Sequence, residues 1–225
     1  MMPTIATEPS LTTPESAPPA APLDARTLID RYGIRAKKSW GQNFLVDERA
    51  YTRIVDACRL NPGDIAVEIG AGLGTLTSRL LCTGATVVAV ERERDMCAVL
   101  QAELGTWPRF VLREENALHV DLPAILHDLP QPADGKLIVV GNLPYQISSP
   151  LLFHFLAARR CVRTIVVMLQ REVAARLYAS VGSDDYSALS AQAQMLARIE
   201  PVCHVGRGGF IPAPKVESSV VRLSP

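Results

Sequence analysis

The chain is short of several features that would assign its class at once. No apolar run among its 225 residues approaches the length of a bilayer-crossing helix, so no membrane span is expected. Charge of one sign is missing as well: 23 Lys and Arg balance 23 Asp and Glu. Bulk electrostatics therefore give no sign of a polyanionic partner, and any such partner must be held by a local basic face. The five cysteines (Cys58, Cys82, Cys97, Cys161 and Cys203) show no C-x-x-C spacing. His119, His127, His154 and His204 form no ligand cluster with them. Reduced thiols and no metal site are the expectation. The early positive charge and continuous apolar stretch of a secretory leader are absent. The first 23 residues hold Glu8 and Glu15 but no Arg, unlike a mitochondrial presequence. A cytosolic monomer is the simplest expectation.

What is present is ordinary globular composition, 48% hydrophobic and 20% charged, in a length that suits one domain. Residues 1–23 are rich in Pro, Ala, Ser and Thr and predict a disordered tail, leaving 24–225 as the folded domain. Apolar runs at 65–69, 86–90, 109–113, 136–140 and 164–169 predict strands. Amphipathic stretches at 47–60, 75–83, 93–104, 149–158, 171–180 and 187–197 predict helices between and after them. Two more strands are expected near 198–205 and 216–223. The turn chemistry agrees: NPGD (61–64) precedes the first strand, and Ser149-Pro150 offers a cap and first-turn proline for a helix. Apolar strands alternating with helices predict an open α/β sheet, largely parallel and covered on both faces.

The first strand leads into EIGAGLGTLT (68–77), with glycines at 70, 72 and 74. Such a turn lets a ligand approach the backbone and the following helix N-terminus. It is also the pattern of an ordinary tight strand-to-helix turn. Its spacing is G-x-G-x-G, and Thr75 stands where a dinucleotide fingerprint needs its third glycine. Glu91 ends the second strand, where an acid can accept from both hydroxyls of a ribose. A nucleoside without an obligatory pyrophosphate fits both features, which favours S-adenosylmethionine over a nicotinamide cofactor. Asn116, after the third strand, is placed to meet an adenine edge, although the same residue would serve in an ordinary loop.

The fourth strand delivers Asn142, Leu143, Pro144 and Tyr145 to the same edge. An exocyclic amine is a poor nucleophile because its lone pair is delocalised into the ring. The Asn142 side-chain oxygen and the Leu143 carbonyl could hold its two N–H groups, aiming the lone pair at a methyl carbon. Pro144 stiffens that corner, and Tyr145 offers a face for an extruded base. The plainer alternative is a proline-containing strand exit with a core tyrosine.

Six stretches, in order, resemble a known family: KKSWGQNFLVD (37–47), EIGAGLGTLT, VERE (90–93), GNLPYQISSPLLFHFL (141–156), VVMLQREVAARL (166–177) and FIPAPKVESSVVRL (210–223). They are similar to the ribosomal RNA adenine dimethyltransferases, most of all the KsgA branch acting on two adjacent adenines in the 3′-terminal hairpin of small-subunit rRNA. The resemblance covers about 27–225. It implies a class I S-adenosylmethionine-dependent methyltransferase (Rossmann-like) fold, with a seven-stranded, mostly parallel sheet, one antiparallel strand and helices on both faces. By resemblance, Asn43 and Leu45 close over the cofactor. Gly70 and Gly72 sit against its methionine end, Glu91 holds the ribose, and Asn142 to Tyr145 hold the target adenine. Phe210 would give a second stacking face, while a buried Phe before a proline turn is the other reading.

The chain departs from the family at Asn116, where Asp is usual, and at Ser187, where YSALS (186–190) replaces Y-G-x-L-S. The family's helical C-terminal domain does not follow within the 225 residues, so the chain is either a piece of a longer protein or docks on RNA without that domain. Local basic groups expected to meet RNA backbone are Arg35, Lys37 and Lys38. Arg159, Arg160 and Arg163, and Arg207 with Lys215, are further clusters that an ordinary solvated face would explain as well. Two alternatives accompany the small-subunit reading: a large-subunit adenine dimethylase conferring macrolide resistance, and a non-catalytic RNA-binding assembly factor on the same fold.

Overall fold

The computed structural model describes residues 22–36 and 42–225. Most of the expected tail, residues 1–21, lies outside the described residues, as do Lys37 and Lys38. Leu23, assigned to the tail by composition, is docked: its N–H donates to Ser78 Oγ at 3.0 Å.

Helix α1 (Ala25–Tyr32) starts at Asp24, whose carboxylate accepts from Thr27 N–H, and stops at Gly33 with φ of 60°. Strand β1 (Phe44–Leu45) is followed by α2 (Glu48–Cys58), capped by Asp47. Then come β2 (Ile65–Ile69), α3 (Thr75–Leu81), β3 (Thr86–Glu91), α4 (Arg94–Leu104), β4 (Phe110–Glu114) and α5 (Leu122–Asp128). Strand β5 (Leu137–Asn142) leads through a 3-10 turn at Tyr145–Ile147 into α6 (Ser148–Ala157). Strand β6 (Val162–Gln170), α7 (Arg171–Leu177), α8 (Ala188–Leu196), β7 (Arg198–Val205), β8 (Phe210–Ile211) and β9 (Ser218–Ser224) complete the chain.

Seven strands form one sheet in the order β4-β3-β2-β5-β6-β9-β7, and β9 runs antiparallel to both its neighbours. The period-2 alternation of β2 divides the core. Ile65, Val67 and Ile69 face the cluster built with α5, α6, α7 and α8. Ala66 faces the opposite cluster, with Tyr51 and Ile54 of α2 and Leu80 of α3. Burying such side chains stabilises the fold by about 1.5–3 kcal/mol each.

The helix expected to begin with Ser149 as cap and Pro150 as first residue instead begins at Ser148. The preceding 3-10 turn runs straight into it, and Ser148 Oγ donates to the Tyr145 carbonyl at 3.1 Å. Pro150 still falls in the first turn, where an N–H has no intrahelical partner to lose. Ser187 in place of the family's glycine is accommodated without strain. It flanks α8 with φ of −145°, extended backbone open to any residue, and its N–H donates to Ser190 Oγ at 2.9 Å.

The chain moves outward from β2 to β3 and β4, then crosses back to place β5 on the other side of β2. This reversal opens a crevice at the carboxyl ends of β2 and β5, the usual ligand position in an open α/β sheet. Strand β5 outruns its expected end and carries Gly141 and Asn142 in register with Val167 and Met168 of β6. Gly141 permits this, because a Cβ there would fall far inside contact distance of the Ile69 carbonyl oxygen. Gly141→Ala should therefore lower the unfolding free energy by about 1–3 kcal/mol, the usual cost of overpacking. Denaturant titration checks this, and unchanged stability would mean that β2 and β5 separate more freely than their register implies.

Candidate active site

One pocket sits over this crevice. Its floor is the glycine loop, where Gly70, Gly72 and Gly74 take φ of 70°, 54° and 78°, a region only glycine visits freely. A Cβ on Gly70 would point toward the Asn142 carbonyl (3.8 Å), and one on Gly72 toward the Phe44 ring (3.9 Å). Both would project into the space between the loop and its roof, a cradle kept open by the lack of side chains. Asn43, Leu45, Gly70, Gly72, Glu91, Asn116, Asn142, Leu143, Pro144 and Tyr145 all line this pocket.

Glu91 is bound from three sides by backbone. Oε2 accepts from Gly72 N–H at 2.9 Å, and Oε1 accepts from Arg92 and Glu93 N–H at 2.8 and 2.9 Å. The carboxylate thus joins the end of β3 to the glycine loop, and its remaining lone pairs are available to a ligand. Asn116 is placed at the pocket, with one half of its amide committed to the protein. Its Oδ1 caps the following 3-10 turn, accepting from Leu118 N–H at 3.1 Å. That leaves the side-chain NH2 as the donor for a ligand edge.

At the other wall, Asn142 Nδ2 donates to the Asn43 carbonyl at 3.3 Å. This bond fixes the amide orientation and leaves Oδ1 as an unused acceptor. Leu143 is buried at 1% exposure, and its N–H donates to the Met168 carbonyl at 3.2 Å. Tyr145 is half-buried, with its hydroxyl 2.7 Å from Ser218 Oγ on β9. Burial raises its pKa, and the Ser218 bond opposes that only in part. The ring is held at its far end.

Phe210 does not fit the expected stacking role. It is 3% exposed, pairs with Leu45 across β1 and β8, and belongs to the core cluster with Tyr51 and Val205. The apolar side chain gains more from that cluster than from the pocket edge. Arg35 is exposed and borders a second hollow with Tyr32, Glu93 and Asp95; Glu93 lines the main pocket too. Arg159 and Arg160 precede β6, at the opposite edge of the sheet from the pocket, and Arg163 is bound by Asp64 and Asp134 at 2.7 and 2.9 Å. Arg207 Nε donates to the Pro214 carbonyl at 2.8 Å, which braces the 210–217 loop. Among the described residues no helix is long and apolar enough to cross a membrane, and no group of His, Cys, Asp and Glu gathers as metal ligands.

Tyr51 and Glu68 also line the pocket. Tyr51 gave no signal, since a tyrosine on an amphipathic helix reads as core. Glu68 did give one, as the single charged residue in IAVEI. It is 2% exposed, and neither its Oε2 nor Thr77 Oγ1 has a hydrogen-bond partner among the described residues. Burial pushes its pKa to about 8, and the Glu91 charge adds to it.

The sheet order with its single antiparallel strand, the glycine loop and the acid ending the next strand together define a class I S-adenosylmethionine-dependent methyltransferase fold. A solved structure from Pyrococcus horikoshii, described as "a putative RNA methyltransferase", shares it at TM-score 0.56 and 16% identity, over 88% of this chain and 96% of that one. The profile described as "Ribosomal RNA adenine dimethylase" matches residues 33–225, and the chain belongs to that family. It is 48% identical over 200 residues to a protein named Ribosomal RNA small subunit methyltransferase A from Anaeromyxobacter dehalogenans, covering 87% of this chain and 70% of that protein. Among solved structures, a dimethyladenosine transferase from Plasmodium falciparum is similar at TM-score 0.69 and 31% identity, over 81% of this chain and 63% of the other. The 23S rRNA methyltransferase ErmE is similar at TM-score 0.69 and 27% identity, over 81% and 69%.

Glu68 generates a pH prediction. The unfolded carboxyl ionises near 4.5 and the folded one near 8, so the native state binds the extra proton between those values. Stability must then fall as pH rises through that window. In the unliganded protein, Glu68→Gln should gain on wild type by up to about 1.4 kcal/mol per pH unit between pH 5 and 8. Urea unfolding across that range is the measurement; parallel curves for the two proteins would contradict a neutral buried Glu68.

Proposed function

We propose that the pocket brings S-adenosylmethionine to an adenine of small-subunit (16S) rRNA, and that the protein dimethylates the exocyclic amine of two adjacent adenines in the 3′-terminal hairpin during ribosome biogenesis. The observation that carries this reading is the fixed Asn142 amide, whose Oδ1 is left to accept from an amine. The residues fit the cofactor: the glycine cradle admits it, Glu91 faces the ribose, and Asn116 offers an N–H to a ring nitrogen of its adenine. Asn43, Phe44 and Leu45 then cover the methionine end, where the Phe44 ring faces Gly72. When bound, S-adenosylmethionine supplies an electrophilic methyl group on a sulfonium.

The protein's own residues do the rest. Asn142 Oδ1 and the Leu143 carbonyl accept the two N–H groups of the target amine and turn its lone pair toward the methyl carbon. Pro144 sets the corner, and the Tyr145 ring, tethered to Ser218, stacks under the base for about 1–3 kcal/mol. The alkylated amine is acidic and loses its proton to water, so no strong base is needed. A second round methylates the same nitrogen again.

The greater likeness to a small-subunit than to a large-subunit methyltransferase supports the substrate assignment. The intact pocket lining favours catalysis over a purely structural assembly role. Such a substrate sets the work in the cytosol, with Arg35 the described residue best placed to meet RNA backbone.

The direct test is to incubate the protein with labelled S-adenosylmethionine and immature small subunits and map the modified bases. Dimethylated adjacent adenines near the 3′ end are expected; label confined to large-subunit rRNA, or none, would overturn the assignment. Asn142→Ala should nearly abolish transfer while cofactor binding stays measurable by calorimetry, and an active variant would remove the amine-holding role. Glu91→Ala should raise the cofactor dissociation constant about tenfold or more, since both the ligand contact and the loop bonds are lost. Unchanged calorimetric affinity would contradict the ribose assignment.

A further inference from the structure

The roof of the pocket is poorly held by its own secondary structure. Strand β1 has two residues, paired only with Phe210 and Ile211, plus a bond from Val46 N–H to the Gly209 carbonyl at 2.8 Å. So short a ribbon is marginal alone. A buried cluster on α2 and α3, with no part in the chemistry, supplies the missing support.

Tyr51, 2% exposed, donates its hydroxyl to the Leu45 carbonyl at 2.6 Å and meets Thr75 Oγ1 at 2.6 Å. A phenol has one proton to give, so the Thr75 hydroxyl is the donor in the second bond. Burial raises the Tyr51 pKa far above its usual value, and the proton stays on. The Arg79 guanidinium lies 4.1 Å over the Tyr51 ring. Its Nη1 donates to the Thr75 and Leu23 carbonyls at 2.7 and 2.9 Å, and its Nη2 to Glu48 Oε1 at 2.5 Å. One Tyr–Arg pair therefore ties together β1, the first turns of α2 and α3, and the chain entering α1. Two residues before Leu45, the Asn43 carbonyl holds the Asn142 amide. A continuous path runs from Arg79 to the group that holds the target amine.

We propose that Tyr51 and Arg79 form a latch that fixes residues 42–46 over the pocket and sets affinity for the amino-acid end of S-adenosylmethionine. They are positioning residues: they act through Leu45 and Asn43. The proposal rests on the cofactor reading above, and its test separates the two. Tyr51→Phe keeps the ring under Arg79 but leaves the buried Leu45 carbonyl without its donor, and Arg79→Lys keeps the charge but loses the fork.

Calorimetry would compare S-adenosylmethionine with 5′-methylthioadenosine, which has the nucleoside but no amino-acid end. Hydrogen exchange at the Leu45 and Val46 amides would be followed in the unliganded proteins. For both variants, S-adenosylmethionine should bind about tenfold more weakly and 5′-methylthioadenosine within about twofold of wild type. Exchange at Leu45 and Val46 should quicken about tenfold or more, with α4 and β3 amides unchanged. Equal weakening of both ligands, faster exchange throughout the domain, or unchanged exchange at Leu45 and Val46 would each overturn the latch. If wild type binds neither ligand, the cofactor reading falls, and the exchange comparison alone still decides whether the latch exists.

Discussion

The site depends on one close approach, that of the β5 backbone to the end of β2 at Gly141. With no side chain between the Gly141 Cα and the Ile69 carbonyl, the two parallel strands stay close beyond their last pair, Glu68 with Val140. The glycine loop leaves β2 and the Asn142 corner leaves β5 side by side. A separation of even one methyl group would set the cradle and the amine holder apart by a distance comparable to a hydrogen-bond tolerance. Gly70 and Asn142 face each other because the strands beneath them touch.

Around that junction, the polar groups of the pocket are each half-committed to the protein. Glu91 spends one lone pair on Gly72 N–H and two on the amides after β3, and Asn116 spends its oxygen on the Leu118 N–H. Asn142 gives its NH2 to the Asn43 carbonyl. Each such bond removes a rotamer choice before any ligand arrives, so the ordering entropy is met in folding and not in binding. The unused half of each group is then the part a ligand meets. For Asn116 this changes its chemistry, since a donor faces the pocket where the family's acid would present an acceptor.

The central strands were legible because they are buried on both faces and read as near-unbroken apolar runs, IAVEI matching its strand residue for residue. The glycine loop and Glu91 were legible because backbone approach and ribose capture need those residue types at strand ends. Helix α5 carried a readable signal in its cap alone, Asp121 before a Pro-containing first turn. Strands β1 and β8 could not be read at all, since two residues carry no period. Phe210 was misplaced for a related reason: an aromatic beside a proline turn looks the same in sequence whether it faces a pocket or seals a core. The Tyr51–Arg79 pair joins residues 28 apart on two helices, and only the packed structure brings them together.

Glu68 shows how the two halves of the site constrain each other electrically. Glu68, Glu91 and Glu93 line a single pocket, and two of them sit on neighbouring strands of the sheet. Glu91 accepts from three backbone N–H groups and Glu93 from the Gln42 amide, while Glu68 is enclosed with its Oε2 unpartnered among the described residues, so the burden of neutrality falls on Glu68. The result is a carboxylate charge at Glu91 beside an uncharged acid beneath the loop. Such a field favours a ligand carrying a sulfonium and an ammonium over the thioether left after the methyl has gone, because only the first brings the extra positive charge. On the proposed reading, the same acids that bind the donor weaken the hold on its product.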